Sequence, residues 1–197
     1  LKVEDLIDSE STAQTGLVAY AGDAFTVTPL TRDADTLRAL LRVLEPGIMP
    51  VQGSRLDLAL AQAHRLLDQS GIGAGEIIVI ADGADAAALT EAKGLQGAGH
   101  RVSVLGIGTA EGAPLPGGRA GQPQMVRLDS EAMQAIAAAG GGHYVPLSAD
   151  SSDVGYLLAG MNLVDAVYMT TMVLTTVGLG EVEPLTPMLK GFTILVM

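Results

Sequence analysis

A doubly wound α/β fold, with a mostly parallel sheet and helices on both faces, is what this sequence predicts up to about residue 158. Three observations carry that expectation. Strand-like runs alternate with helical repeats at the connection lengths of βαβ units. The run Ile77-Ile78-Val79-Ile80 has no polar alternation, which suits a parallel strand buried on both faces. Asp82-Gly83 follows directly, at the carboxyl end of that strand, where open α/β sheets hold their ligands.

Residues 1–8 place Leu1, Leu6 and Ile7 at roughly helical spacing and read as the tail of a helix. Gly16–Tyr20 and Ala24–Thr28 are β-rich runs joined by Ala21-Gly22-Asp23, a connection short enough for an antiparallel hairpin. Pro29 is expected to end the second run. Leu37, Leu40, Leu41 and Leu44 keep helical periodicity, so Asp33–Leu44 reads as a helix, broken by Pro46, Gly47 and Pro50. Ser54–Ser70 is the next helix, with Leu56, Leu60, Ala63 and Leu67 on one face. Ser54 and Asp57 resemble a capping box, with Asp where Glu is usual.

After the strand Glu76–Ala81, the Ala- and Leu-rich run Ala86–Ala98 reads as helical, closed by Gly99, and Arg101–Leu105 as a second buried strand. Thr109–Met125 is a Gly/Pro-rich stretch long enough to be a functional loop, a disordered one or a small hairpin. Asp129–Ala139 is a helix stopped by Gly140-Gly141-Gly142. His143–Val145 is a short strand and Ser151–Leu158 a last short helix. From Met161 onward apolar and Thr residues dominate.

The 197 residues give room for one α/β domain plus a short extra segment. With 11 Lys and Arg and a net charge of −11, no nucleic-acid partner is expected. The absence of cysteine excludes disulfides and thiolate metal sites. Leu1-Lys2-Val3-Glu4-Asp5 has neither a starting Met nor an apolar run, so the chain reads as internal to a longer protein.

Some chemistry is unsupported. His64, His100 and His143 lack HxxxH or HxH spacing, so surface or capping roles are expected for them rather than metal binding. Gly106–Gly112, GIGTAEG, follows a strand but has the spacing GxGxxxG, with Pro114 and Pro116 where a helix should begin. The dinucleotide fingerprint therefore fails. Neither a GK[ST] phosphate loop nor a GxSxG elbow is present. An enzyme is not expected, and a nucleotide-binding enzyme is the weakest of three functional readings.

The segments GLVAYAGDAFTVTPLT, LRALLRVLEPGIMP, VQGSRLDLAL, EIIVIADGAD, HRVSVLGIGTAEGAPLP and AIAAAGGGHYVPL occur in one order. Together they resemble a von Willebrand factor type A (vWA) domain over residues 1–158, most closely the membrane-anchored Bat, aerotolerance-associated type. The resemblance implies a vWA/Rossmann-like sheet and a metal-ion-dependent adhesion site built from three loops at its carboxyl edge. Ser54 matches the second element of that site and Asp82 the third. The DxSxS loop, which should follow the first strand, has no counterpart, so Mg²⁺ or Mn²⁺ would meet one hydroxyl and one carboxylate, a weak site. The resemblance also implies a protein partner at the metal edge, a membrane-associated parent protein and a soluble vWA part. In the vWA arrangement the missing first strand is the central one. Its absence would leave the neighbouring strands with unpaired backbone groups unless another stretch fills the slot. Phe192–Val196, FTILV, has the composition to do so.

The tail, NLVDAVYMTTMVLTTVGLGEVEPLTPMLKGFTILVM, resembles the pore region of a potassium channel over residues 162–197. Asn162–Leu174 matches the pore helix and Thr186–Met197 the start of the inner helix. Thr175, Thr176, Val177, Gly178, Leu179 and Gly180 match the selectivity filter, whose glycines let backbone carbonyls replace the water of K⁺. Leu179 stands where that family most often has Tyr, and Glu181 where it usually has Asp. Residues 140–161 contain Gly, Pro and charged Asp rather than an apolar outer helix, and the inner helix is cut at Met197. The two pieces meet near Leu158–Met161 without a linker, as in a fragment or an artificial join of reading frames. The leading expectation is a vWA-type interaction domain with a partial adhesion site. The alternative is a potassium-channel subunit, tetrameric if that reading holds.

Overall fold

A computed structural model of the chain describes residues 2–9, 14–44, 49–71, 73–114, 125–148, 152–159 and 170–175. In chain order the elements are α1 (Lys2–Ser9), β1 (Thr15–Tyr20), β2 (Ala24–Thr31), α2 (Ala34–Leu41), α3 (Leu56–Ser70), β3 (Glu76–Ala81) and α4 (Ala86–Gly97). They continue with β4 (Arg101–Gly106), β5 (Ala113–Pro114), β6 (Met125–Val126), α5 (Ser130–Ala139), β7 (Gly141–Pro146), α6 (Ser152–Ala159) and β8 (Thr170–Thr175). The doubly wound expectation holds. Six strands form one sheet in the order β2-β1-β8-β3-β4-β7, parallel except for the β1–β2 hairpin. The stretch left open between β4 and α5 contains the small β5–β6 hairpin.

Alternation along β3 sends side chains to two separate cores. Ile77 and Val79 join Val18, Tyr20, Val102 and Val104 beneath α3, α4 and α5. Ile78 and Ile80 join Leu17 and Leu105 beneath α1, α2 and α6. All four β3 aliphatics are at most 1% exposed. Each such side chain contributes about 1.5–3 kcal/mol on burial, so the unbroken apolar run is explained by two helical layers. Glu76, also buried at the start of β3, faces the Arg101 guanidinium at 3.5 Å and accepts a hydrogen bond from Ser103.

The central slot between β1 and β3 is filled, but not by Phe192–Val196, which lie outside the described residues. β8 fills it. Thr170 aligns with both Thr15 and Glu76, Leu174 with both Ala19 and Ile80, and Thr175 with Tyr20. Residues 170–174 are therefore strand, where the pore-like pattern predicted the end of a helix. Thr and Val are good strand residues, and two open strand edges offer backbone partners that a helix would leave unpaired.

Two smaller differences have local causes. β2 runs through Pro29 to Thr31 rather than stopping. It lies at the sheet edge, where a residue without an N–H is tolerated. β7 begins at Gly141, inside the glycine run expected only to stop a helix. A Cβ on Gly140 or Gly142 would collide with Val102 of β4, so those glycines permit close approach of the two strands.

Candidate functional site

The carboxyl ends of β1, β8 and β3 lie side by side, and the loops that leave them bring the two predicted ligands to one edge. The turn after β1 is clamped to the loop before α3. The Gly22 amide donates to the Val51 carbonyl at 2.9 Å, and the Arg55 amide to the Ala21 carbonyl at 2.7 Å. Glycine is required where these loops meet. A Cβ on Gly22 would lie 2.5 Å from Val51 Cγ1 and 2.7 Å from the Gln52 carbonyl oxygen. A Cβ on Gly53 would lie 2.8 Å from the Gly22 Cα. Ser54 is thus anchored at the carboxyl edge by its neighbours on both sides, with an exposed side chain.

The expected capping box does not form. The N-cap of α3 is Arg55, with no side-chain capping bond, so the helix begins at Leu56. Asp57 is instead gripped in bidentate fashion: Arg55 Nε donates to Oδ1 at 2.8 Å and Nη2 to Oδ2 at 2.6 Å. That guanidinium holds the buried Asp57 carboxyl below its ordinary range. Arg55 itself is raised, mainly by Asp57, with further attraction from Asp85 and Asp23. Three aspartates, from the β1–β2 turn, the first turn of α3 and the loop after β3, therefore act on one cation.

Asp82 follows β3 directly. Its carbonyl accepts from the Asp129 amide at 2.7 Å, which ties the loop before α5 to this edge. Its side chain is half-buried, and burial pushes the carboxyl above the usual range. The helix that follows is capped by Asp85, not Asp82: Asp85 Oδ1 accepts the Ala88 amide at 2.9 Å. Of the filter-like residues, Thr175 ends β8 at this same edge. Thr176, Val177, Gly178, Leu179 and Gly180 lie outside the described residues.

Sequence spacing missed a second group, at the opposite edge. α3 runs back across the sheet and carries His64 and Asp68 on successive turns, while His100 immediately precedes β4. His64 Nε2 lies 3.6 Å from Asp68 Oδ2, and His100 Nε2 lies 3.9 Å from Asp68 Oδ1. The two rings meet edge-on with centroids 5.4 Å apart. One ligand atom from each of the three residues lies within 4.8 Å of the others. His100 is 4% exposed, not at the surface, and burial lowers its pKa, with His64 adding to the effect. The available signal was His64 and Asp68 at i, i+4 on one helix face.

A family model described as von Willebrand factor type A domain matches residues 2–84, and one described as ion channel matches residues 145–197. The conserved hypothetical protein BatB from Bacteroides thetaiotaomicron is 32% identical, over 80% of this chain and 85% of that one, with a TM-score of 0.71. An aerotolerance-related membrane protein from Bacteroides fragilis NCTC 9343, crystallised with multiple mutations to serines, is 31% identical, over 81% and 86%, also with a TM-score of 0.71. No curated protein matches the chain. Among the described residues no helix is long and apolar enough to cross a membrane.

Proposed function

The chain belongs to the von Willebrand factor type A domain proteins of the Bat, aerotolerance-related type, and we propose that it is a non-enzymatic interaction domain. Its partner is a protein that docks on the carboxyl edge of the sheet, at Ser54 and Asp82. One observation carries this reading: among the described residues neither side chain caps a helix or pairs with a basic group. α3 has no side-chain cap, α4 is capped by Asp85, and Asp82 keeps a half-buried carboxyl without the basic neighbour that steadies Asp57. A half-buried carboxylate without a counter-charge costs stability. A ligand offsets that cost.

The donors suit a hard cation. Ser54 and Asp82 offer one hydroxyl and one carboxylate oxygen, to which Mg²⁺ or Mn²⁺ would bind while keeping most of its water. Bound there, the ion supplies an open coordination position for a carboxylate of the partner. Two features keep the site weak. Ser54 and Asp82 bring one hydroxyl and one carboxylate, fewer ligands than a tight site needs, and Arg55 sets a positive charge among the same loops. The parent protein is membrane-associated in this reading, in keeping with the description of the Bacteroides fragilis relative as a membrane protein.

Titration calorimetry with Mn²⁺ and Mg²⁺ tests the assignment. The expected result is a single weak site, in the millimolar range, abolished in Asp82→Ala and weakened in Ser54→Ala. Tight binding, or weak binding indifferent to Asp82→Ala, contradicts it. A second reading, a potassium-channel subunit, draws on the ion-channel match over residues 145–197. It predicts K⁺-selective flux through liposomes carrying the chain, and absence of flux removes it.

A further inference from the structure

We propose that His64, Asp68 and His100 form a binding site for a zinc-class divalent cation at the amino edge of the sheet, separate from Ser54 and Asp82. The donor set is two imidazoles and one carboxylate, a combination that prefers Zn²⁺, Co²⁺ or Ni²⁺ to Mg²⁺. Three protein ligands leave a fourth position for water in a tetrahedral site.

The distances suit a metal better than any direct contact. At 3.6 and 3.9 Å, the two His–Asp approaches are too long for hydrogen bonds. Ligands about 2.0–2.1 Å from a tetrahedral zinc ion stand about 3.3–3.4 Å from one another. The two gaps, which run to different oxygens of Asp68, exceed that value by about 0.2–0.6 Å. The remaining His–His separation is no more than 4.8 Å.

Without an ion the arrangement is hard to explain. The His100 side chain is 2% exposed, its Nε2 stands at 3.9 Å from the nearest carboxylate oxygen, and its Nδ1 is buried with no hydrogen-bond partner among the described residues. A buried imidazole nitrogen left without a partner costs stability, and the long approach to Asp68 at Nε2 is only a weak contact. A cation at Nε2 would replace that long approach to Asp68 by a direct ligand bond on the same ring. Access is open, because Asp68 is 64% exposed and His64 is 31% exposed at the side chain. The positions are also pre-set. Helix geometry places His64 over Asp68 one turn apart, and the His100 amide is held by a 2.9 Å hydrogen bond to the Leu95 carbonyl at the end of α4. The missing partner on Nδ1 sets a limit, since ligating histidines usually donate their other N–H to a second group. Affinity is therefore expected in the micromolar range rather than at the level of structural zinc sites.

The test titrates the full chain with Zn²⁺ by calorimetry and with Co²⁺ by visible absorption. One equivalent should bind, and Co²⁺ should develop the intense d–d bands of a tetrahedral nitrogen- and oxygen-ligated ion. His64→Ala and Asp68→Ala change partly or largely exposed side chains on α3, and each should weaken binding by at least about tenfold with an unchanged circular dichroism spectrum. Asp82→Ala should leave the affinity unaltered. Failure to saturate with Zn²⁺, binding unchanged in both α3 variants, or binding lost in Asp82→Ala would each overturn the assignment.

Discussion

At the carboxyl edge of the sheet the candidate donors are a hydroxyl and a carboxylate, both on loops; at the amino edge they are two imidazoles and a carboxylate, on or beside helices. The same helix, α3, serves both ends. At its N-cap the Arg55 amide holds the loop of Ser54 against the β1 turn, and its later turns present His64 and Asp68. The difference teaches what each edge is built to do. Oxygen donors on glycine-clamped loops suit a weak, hydrated ion that a partner can share. Imidazoles fixed by a helix suit an ion held by the chain itself.

The largest expected effect strikes both edges together. β8 pairs with β1 and β3 on its two sides, so Val173→Pro removes a ladder donor from the middle of the sheet and introduces a ring the strand cannot accommodate. It should cost a large part of a stability that for a domain is about 5–15 kcal/mol. Urea denaturation reads the loss. Folding as stable as the parent would mean that β8 does not hold the central slot.

Next in size is a change confined to the carboxyl edge. Gly22→Ala forces the β1 turn away from Val51 and Gln52, at a cost of about 1–3 kcal/mol. For a chain of this size each kcal/mol lowers Tm by about 2–4 °C. Mn²⁺ binding should weaken and Zn²⁺ binding should not. Equal loss of both would break the distinction between the edges.

The smallest effects are electrostatic, and their signs differ between two aspartates of one edge. The Asp57 carboxyl is lowered by Arg55. Its contribution is therefore present above the unfolded value of about 3.9 and lost as pH falls through the lower folded value. Arg55→Met should remove that part of the acid dependence in thermal melts. Asp82 is raised by burial. Its charged form opposes folding at neutral pH, so Asp82→Asn should raise Tm at pH 7. The gain should disappear as pH falls from the raised folded value to the unfolded one, where both states are protonated. A destabilised Asp82→Asn at pH 7 would mean that the carboxylate has a partner after all.

Much of the fold was legible because its signals are local. Ile77–Ile80 announce a doubly buried strand without reference to any other residue, and the helices read from Asp33 and Asp129 begin one residue later, with those aspartates as their caps. What was misread depended on neighbours. Pro29 is harmless only because β2 lies at an edge, which no local pattern reveals. The Thr-rich run 170–175 suits both a pore helix and a strand, and the open slot between β1 and β3 decides between them. Ser54 has the residue type of a cap, but Arg55 takes Asp57 and the helix starts later. His64 and His100 lie apart in the chain, and only the packing of α3 beside α4, whose end holds the His100 amide, makes them neighbours. The edge of Ser54 and Asp82 was readable because two loops follow a recognisable order. The amino edge was not, because its spacing exists only in the folded chain.

Paramagnetic broadening by Mn²⁺ in a two-dimensional ¹H–¹⁵N spectrum addresses the central assignment most directly, because it reports both edges in one titration. The interaction-edge account predicts early loss of the amide signals of Gly22, Ser54, Asp82 and Gly83 at low Mn²⁺, with those signals restored in Asp82→Ala. Broadening that leaves these amides untouched, or that persists in Asp82→Ala, would contradict it.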